Sequence, residues 1–168
     1  MANINFKTKL VKINDWVILH LPKEASAKLP SRGLTAVEGT INGQYFKQVL
    51  EPDGKGSHWF RVRNAKAGDT VKVFIDSTKD WPEPEIPTDL KKALKKNKTA
   101  QESWNATTPL AHWDWIRWVR AVKSKETREK HIRVAMDKLN RGMRRPCCFN
   151  RSLCSEPKVS KNWVLLDP

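Results

Sequence analysis

The chain has 168 residues, 39% of them hydrophobic, with eight tryptophans and a formal net charge of +14. That is enough apolar material for the core of one ordinary domain or two small ones, which excludes global disorder. No run approaches the roughly 20 apolar residues of a membrane span, and the basic start MANINFKTKLVK lacks the apolar segment of a signal peptide.

A cytoplasmic location is therefore expected. The positive excess, larger beyond residue 80 than before it, favours a polyanionic partner: nucleic acid, anionic lipid headgroups or an acidic protein.

Residues 1–80 read as strands. INFKTKLVK is one, and Trp16-VILHL-Leu21 is an apolar second. Pro22 to Leu29 fits a short helix with proline in its first turn. Asn42-Gly43 separates VEGTI from QYFKQVL, the pattern of a type I′ hairpin with φ > 0 at both central residues. Ala67-Gly68-Asp69 is another turn, followed by Val71, Val73 and Ile75 in strict alternation. The count is about six short strands, which suits a small barrel.

LEPDGKGSHWFRVR is the most chemically loaded stretch of this half. Its glycines precede a strand, whereas a phosphate-cradling loop has its glycines opening a helix, so they read as turn residues. In a strand, Phe60 and Val62 share the inward face with His58 at its rim, and Trp59, Arg61 and Arg63 line the other face. An aromatic between two guanidinium groups can stack a base and contact phosphates; alternatively, Trp59 packs and the arginines are solvated. His58, Trp59, Arg61 and Arg63 are the candidate ligand-binding set. Without a named acid or nucleophile partner, His58 is a weak catalytic claim. A small-ligand site or enzyme centred on it, at the junction of the two halves, stays open beside the binding readings.

WPEPEIP, three prolines in seven residues, is a connector at 81–87. Beyond it the apolar period becomes helical. Thr88 or Asp89 is placed to cap DLKKALKKN, and a further turn runs through AQESW. Pro109 opens LAHWDWIRWVRAVK, in which Trp115, Ile116, Trp118, Val119 and Val122 form one apolar arc. The opposite arc holds Trp113, Asp114, Arg117 and Arg120. Together with Lys91, Lys92, Lys95 and Lys96, the residues Trp113, Arg117 and Arg120 are the candidate polyanion-binding set, unless Arg117 merely stacks on Trp113. Ser124 caps KETREKHIRVAMDKLN, and Gly142 is a natural terminating residue. On that helix Arg128 falls inside the apolar stripe, so a carboxylate partner is expected, with Glu102 and Asp114 as candidates.

The tail carries the three cysteines, Cys147, Cys148 and Cys154. An odd number in a reducing compartment predicts thiols, and CC-x5-C lacks the paired spacing of a zinc site. No metal and no cofactor is expected. WVLL near the end is expected to dock back on the fold. The organisation is thus a barrel domain at 1–80, a connector at 81–87, a helical module at 88–145 and a basic, cysteine-containing tail at 146–168. The class is α+β, a small six-stranded β-barrel followed by helices.

Several of these motifs also occur together in known families. WVILHLPKEASAKLPSRG, VEGTING, LEPDGKGSHWF, AGDTV and WPEPEIP resemble a small bacterial β-barrel domain of unknown function. IPTDLKKAL, WVRAVKSKETREKHI and RGMRRPCCF resemble the OmpD-associated (OmdA-like) bacteriocin-protection family. The resemblance implies a double-split-like barrel followed by a helical module, with no established reaction and no cofactor. Lys123, Glu126, Thr127 and Arg128 match the K-x2-ETR pattern of that family, where helix capping and an ion pair would account for them. Val122 and His131 depart from it, and Trp113 is not among its hallmarks. A double-split barrel is similar to the fold of some bacterial regulators and antitoxins that bind DNA, an analogy of fold alone.

Overall fold

The computed structural model describes residues 4–146 and 150–168. These fall into two compact units. One comprises the chain up to Pro82 with Asn150–Cys154 and Lys158–Pro168; the other runs from Glu83 through the helices and includes Ser155–Pro157.

The first unit is a curled antiparallel sheet. In chain order its strands are β1 (Ile4–Lys9), β2 (Val11–Ile13), β3 (Trp16–His20), β4 (Thr35–Ile41), β5 (Gln44–Pro52), β6 (His58–Arg61) and β7 (Thr70–Ser77), with a short helix α1 (Lys23–Ser26) after β3. The hydrogen-bonded order is β1-β7-β4-β5-β6-β3-β2. It is a half-barrel of seven strands rather than a closed barrel of six. The reason lies at Leu10, where the run INFKTKLVK breaks. The Leu10 amide donates to the Asp69 carbonyl and its own carbonyl accepts from Gly68. The two pieces, β1 and β2, then stand at opposite ends of the sheet order.

Local chemistry explains the pairing. Asn42 and Gly43 adopt φ of 48° and 81°, the twisted turn that joins β4 to β5. Val71, Val73 and Ile75 point inward while Thr70, Lys72 and Phe74 point outward. The inner face gathers Ile4, Leu10, Leu19, Leu21, Val37, Leu50 and Phe60 around them. Burying such side chains contributes about 1.5–3 kcal/mol each before entropy is counted. β4 also approaches β7 very closely. A Cβ on Gly39 would lie 1.8 Å from the Phe74 carbonyl oxygen, so only glycine fits there.

The outer side of β3 and β6 is not open to solvent. The C-terminal segment folds as a hairpin of β8 (Ser160–Lys161) and β9 (Val164–Leu165). Cys154, Val159 and Leu165 bury Ile13, Ile18 and Trp59 in a second apolar cluster. Cys147 and Cys148 lie outside the described residues.

The second unit contains α2 (Thr88–Lys95), α3 (Lys98–Asn105), α4 (Pro109–Arg120) and α5 (Lys125–Asn140). Side chains of Asn97, Thr108 and Ser124 cap α3, α4 and α5. α2 differs from the expected capping: Pro87 is its N-cap residue, and Asp89 sits in the first turn accepting from the Leu90 amide. Gly142, at φ 79°, ends α5. Leu90 and Leu94, Trp104, Trp115, Ile116, Val119, Ala135 and Leu139 form the core. No helix of the described residues is long and apolar enough to cross a membrane.

Two glycine substitutions separate these constraints. Gly39→Ala puts a methyl group against backbone and is expected to cost about 2–3 kcal/mol. Gly43→Ala meets no atom and carries only the left-handed backbone penalty, about 1 kcal/mol. Urea unfolding of both variants checks the order.

Candidate functional site

The β5–β6 turn is organised by Asp53. Its Oδ1 accepts from the amides of Lys55 (2.7 Å) and Ser57 (2.9 Å). Its Oδ2 accepts from His20 Nε2 at 2.8 Å. The Asp53 amide donates to the Ser57 carbonyl, and the Asp53 carbonyl accepts from Leu165 in the C-terminal hairpin. Gly54 is required twice over: its φ is 80°, and the Trp163 carbonyl packs where a Cβ would be, 2.2 Å away. The glycines therefore serve the turn, and two of the amides that an anion would need are spent on an internal carboxylate.

Behind the turn lies a second polar group. Ser26 Oγ donates to His58 Nδ1 at 2.6 Å, and His58 Nε2 donates to the Gly33 carbonyl at 2.8 Å. The carbonyl acceptor fixes the Nε2–H tautomer and leaves Nδ1 as the acceptor. Arg32 completes the group. Its guanidinium donates to Ser26 Oγ and to the carbonyls of Ser26, Leu29 and Gly56. It thereby satisfies carbonyls at the end of α1 and ties them to the β5–β6 turn.

A serine, a histidine and an orienting acceptor at these distances look like a nucleophile pair. Burial argues otherwise. Ser26 and His58 are both 0% exposed, so no substrate atom reaches either. Burial pushes the His58 pKa below the ordinary histidine value, and the Arg32 charge adds to this against the opposing pull of Gly33 and Asp53. His58 is a neutral structural imidazole. Burial also pushes the Asp53 carboxyl upward, but His20 and the Lys55 and Ser57 amides outweigh it and bring the pKa from 3.8 to about 2. His20, with its side chain 40% exposed, and Arg32 are the accessible members of these groups.

The other expected site residues separate by exposure. Trp59 is 0% exposed and its indole donates to the Pro52 carbonyl, so it is core and not a stacking surface. The expectation of an outward face fails because the C-terminal hairpin covers it. Arg61 lies over the Trp16 ring at 4.3 Å, and Arg63 is exposed.

In the helical unit, Arg117 is 0% exposed and donates to Ser155 Oγ. Arg120 pairs with Glu156 at 3.6 Å, and Trp113 is half-buried. Asp114 is buried within 3.5 Å of Arg145. The polar arc of α4 is thus an interior surface. Lys91, Lys92, Lys95 and Lys96 are exposed on α2.

Of the K-x2-ETR residues, Lys123 and Glu126 are exposed, while Thr127 donates its amide to the Ser124 cap. Arg128 is half-buried rather than buried. Its partner is Asp89 at 2.7 and 3.1 Å, not Glu102 or Asp114. Among the described residues no group of three or more His, Cys, Asp or Glu is placed to hold a metal ion.

Ser26, Arg32 and the His20–Asp53 pair were not singled out from sequence. An Asp two residues before an amide in a Gly-rich turn is an Asx-turn signal that points to Asp53. No local pattern links Ser26 to His58.

Two family models match the chain. Residues 83–142 match the model described as bacteriocin-protection, YdeI or OmpD-associated, and residues 6–75 match that of a domain of unknown function, DUF1905. No curated protein matches it.

Two measurements follow from this geometry. The native state binds fewer protons at Asp53 than the unfolded chain does between pH 4 and 2, so the stability Asp53 lends is present in full above pH 4 and is lost toward pH 2. The loss is about 2 kcal/mol. His58 acts in the same sense at higher pH, its contribution fading as pH falls below its unfolded value of 6.5. In urea unfolding across pH 7 to 2.5, Asp53→Asn is expected to be less stable at neutral pH and to lack the lowest step. For Arg128 and Asp89, whose side chains are 29% and 46% exposed, a double-mutant cycle is expected to give a coupling of about 1 kcal/mol or less. A coupling of 3–5 kcal/mol, the range for breaking a buried pair, would contradict this assignment.

Proposed function

We propose that this chain, a member of the OmdA-like bacteriocin-protection family with a DUF1905 domain ahead of its bacteriocin-protection domain, is a non-catalytic cytoplasmic binding protein. Its contact is electrostatic, and the lysine face of α2 meets an acidic protein surface.

The observation that carries this reading is the complete burial of Ser26, His58 and Arg117, which keeps these three groups from direct contact with a partner. α2 differs in kind. Leu90 and Leu94 are buried on one side, and at about 100° per residue Lys91, Lys92, Lys95 and Lys96 fan out on the other. Lys91 with Lys95, and Lys92 with Lys96, are like charges four residues apart, each pair costing a few tenths of a kcal/mol. The nearby carboxylate on the same helix, Asp89, is engaged by Arg128. Lys92 and Lys95 gain part of this cost back from the helix C-terminus. A carboxylate-rich surface laid along the helix would offset the remainder. Such steering by charge sets association rate and partner choice more than fold stability.

The test is a quadruple variant, Lys91→Gln with Lys92→Gln, Lys95→Gln and Lys96→Gln. Its melting temperature is expected to equal or exceed that of the parent, because the repulsion is relieved. In bacteria challenged with a bacteriocin, the parent is expected to raise survival and the variant to return it to the level of cells without the protein. Full protection by the variant would remove α2 from the function. Turnover of a small molecule, lost on His58→Gln, would replace the binding reading with an enzymatic one.

A further inference from the structure

The outer face of the β1–β7–β4–β5 sheet carries a second set of exposed groups, sharing no residue with α2. The pairing register sets Tyr45, Thr40, Phe74 and Asn5 side by side across β5, β4, β7 and β1. Residues paired directly in an antiparallel sheet project to one face. This is the face away from the core, since the alternate residues Val37, Val73 and Ile75 are buried. Tyr45 is 68% exposed and Phe74 40% exposed.

Charge is ordered about this aromatic row. On one side, two residues along β7 and β1, Lys72 stands opposite Lys7, with Lys9 two residues further on; the matching positions on β4 and β5 are Asn42 and Gly43. All three are exposed, and Lys72 Nζ lies 5.2 Å from the Phe74 ring centroid. On the other side are Glu38, Asp76 and Lys47. There Lys47 is ion-paired with Glu38 and Asp80, and Tyr45 Oη donates to Glu38 Oε2 at 3.0 Å. The face therefore runs from lysines on β1 and β7 through two aromatic rings to a net acidic border.

We propose that this face binds single-stranded nucleic acid, with bases stacked on Phe74 and Tyr45 and phosphates held by Lys7, Lys9 and Lys72. An exposed ring offers a base its π face whatever the base is, and lysines along one side of the rings track a backbone. Strands roughly 4.8 Å apart put the two rings roughly 10 Å apart, with Thr40 between them, so two bases can lie on the sheet at once. The acidic border repels phosphates and assigns the backbone to the lysine side. A duplex keeps its bases stacked inside and cannot use the rings. An acidic protein would be drawn to the lysines but has no use for paired exposed aromatics beside them.

The experiment is fluorescence anisotropy of labelled ten-nucleotide oligo(dT) and oligo(U) with the full chain at low ionic strength, against a duplex of the same length. Single strands are expected to bind more tightly than duplex. The log–log salt slope is expected to be roughly −2 for three phosphate contacts. Tyr45→Ala with Phe74→Ala is expected to weaken binding about tenfold or more. Both positions are exposed, so thermal unfolding should be little changed. Lys7→Gln with Lys72→Gln provides a second variant, expected to flatten the salt slope. The α2 quadruple variant is expected to bind as the parent does. A preference for oligo(U) or oligo(dT) distinguishes RNA from DNA, and either supports the proposal. Absence of binding, equal affinity for duplex, or full affinity in the Tyr45→Ala, Phe74→Ala protein overturns it. So does loss confined to the α2 variant, which would place the nucleic-acid contact there.

Discussion

The Asp53 carboxylate is the constraint from which the first unit follows. A carboxylate this deeply buried is tolerated only when its lone pairs are filled, because an uncompensated charge costs several kcal/mol. Here one oxygen takes two turn amides and the other takes His20. The turn so fixed starts β6 at His58, and the Asp53 main chain receives Leu165 from the far end of the sequence. That contact seats the hairpin that covers Trp59. One acidic side chain thus links β3, the β5–β6 turn and the C-terminal segment, elements separated by more than a hundred positions in the chain.

Several chemically suggestive residues in this protein are engaged within the fold. Ser26, His58 and Arg32 have the spacing of a reactive pair with a cationic neighbour, yet their hydrogen bonds are directed at one another and at backbone carbonyls. In the helical unit the same holds for the stacked pairs Trp104–His112 and Trp118–His131, whose imidazoles also bond the carbonyls of Trp104 and Trp118. These rings pack as flat aromatic groups with a polar edge and close off backbone acceptors. Among the described residues the exposed groups include lysines, arginines and the rings of Tyr45, Phe74 and Trp163.

The sequence disclosed local geometry and withheld coverage. Asn42-Gly43 and the Val71, Val73, Ile75 alternation are readable because a two-residue twisted turn and a period of two leave a mark within ten residues. The Ser124 cap and Gly142 are readable for the same reason. Trp59 and Arg117 are not. Strand alternation and the helical wheel each identify two faces correctly, but neither says whether a remote segment lies over the second face. For Trp59 that segment is the C-terminal hairpin, and for Arg117 it includes Ser155. The strand count slipped at Leu10, where a continuous apolar–polar alternation conceals a change of hydrogen-bonding partner. The partner of Arg128 is Asp89 in the first turn of α2 rather than a carboxylate of α3 or α4, a choice that depends on how four helices pack.

The central claim is that the β5–β6 turn is closed by its own carboxylate and is not an open anion site. Amide hydrogen exchange at Lys55 and Ser57 tests it most directly. The account predicts both amides to be strongly protected at neutral pH, to lose that protection in Asp53→Ala, and to be indifferent to added inorganic phosphate. Rapid exchange of both in the native protein, or protection that appears only when phosphate is present, would contradict it.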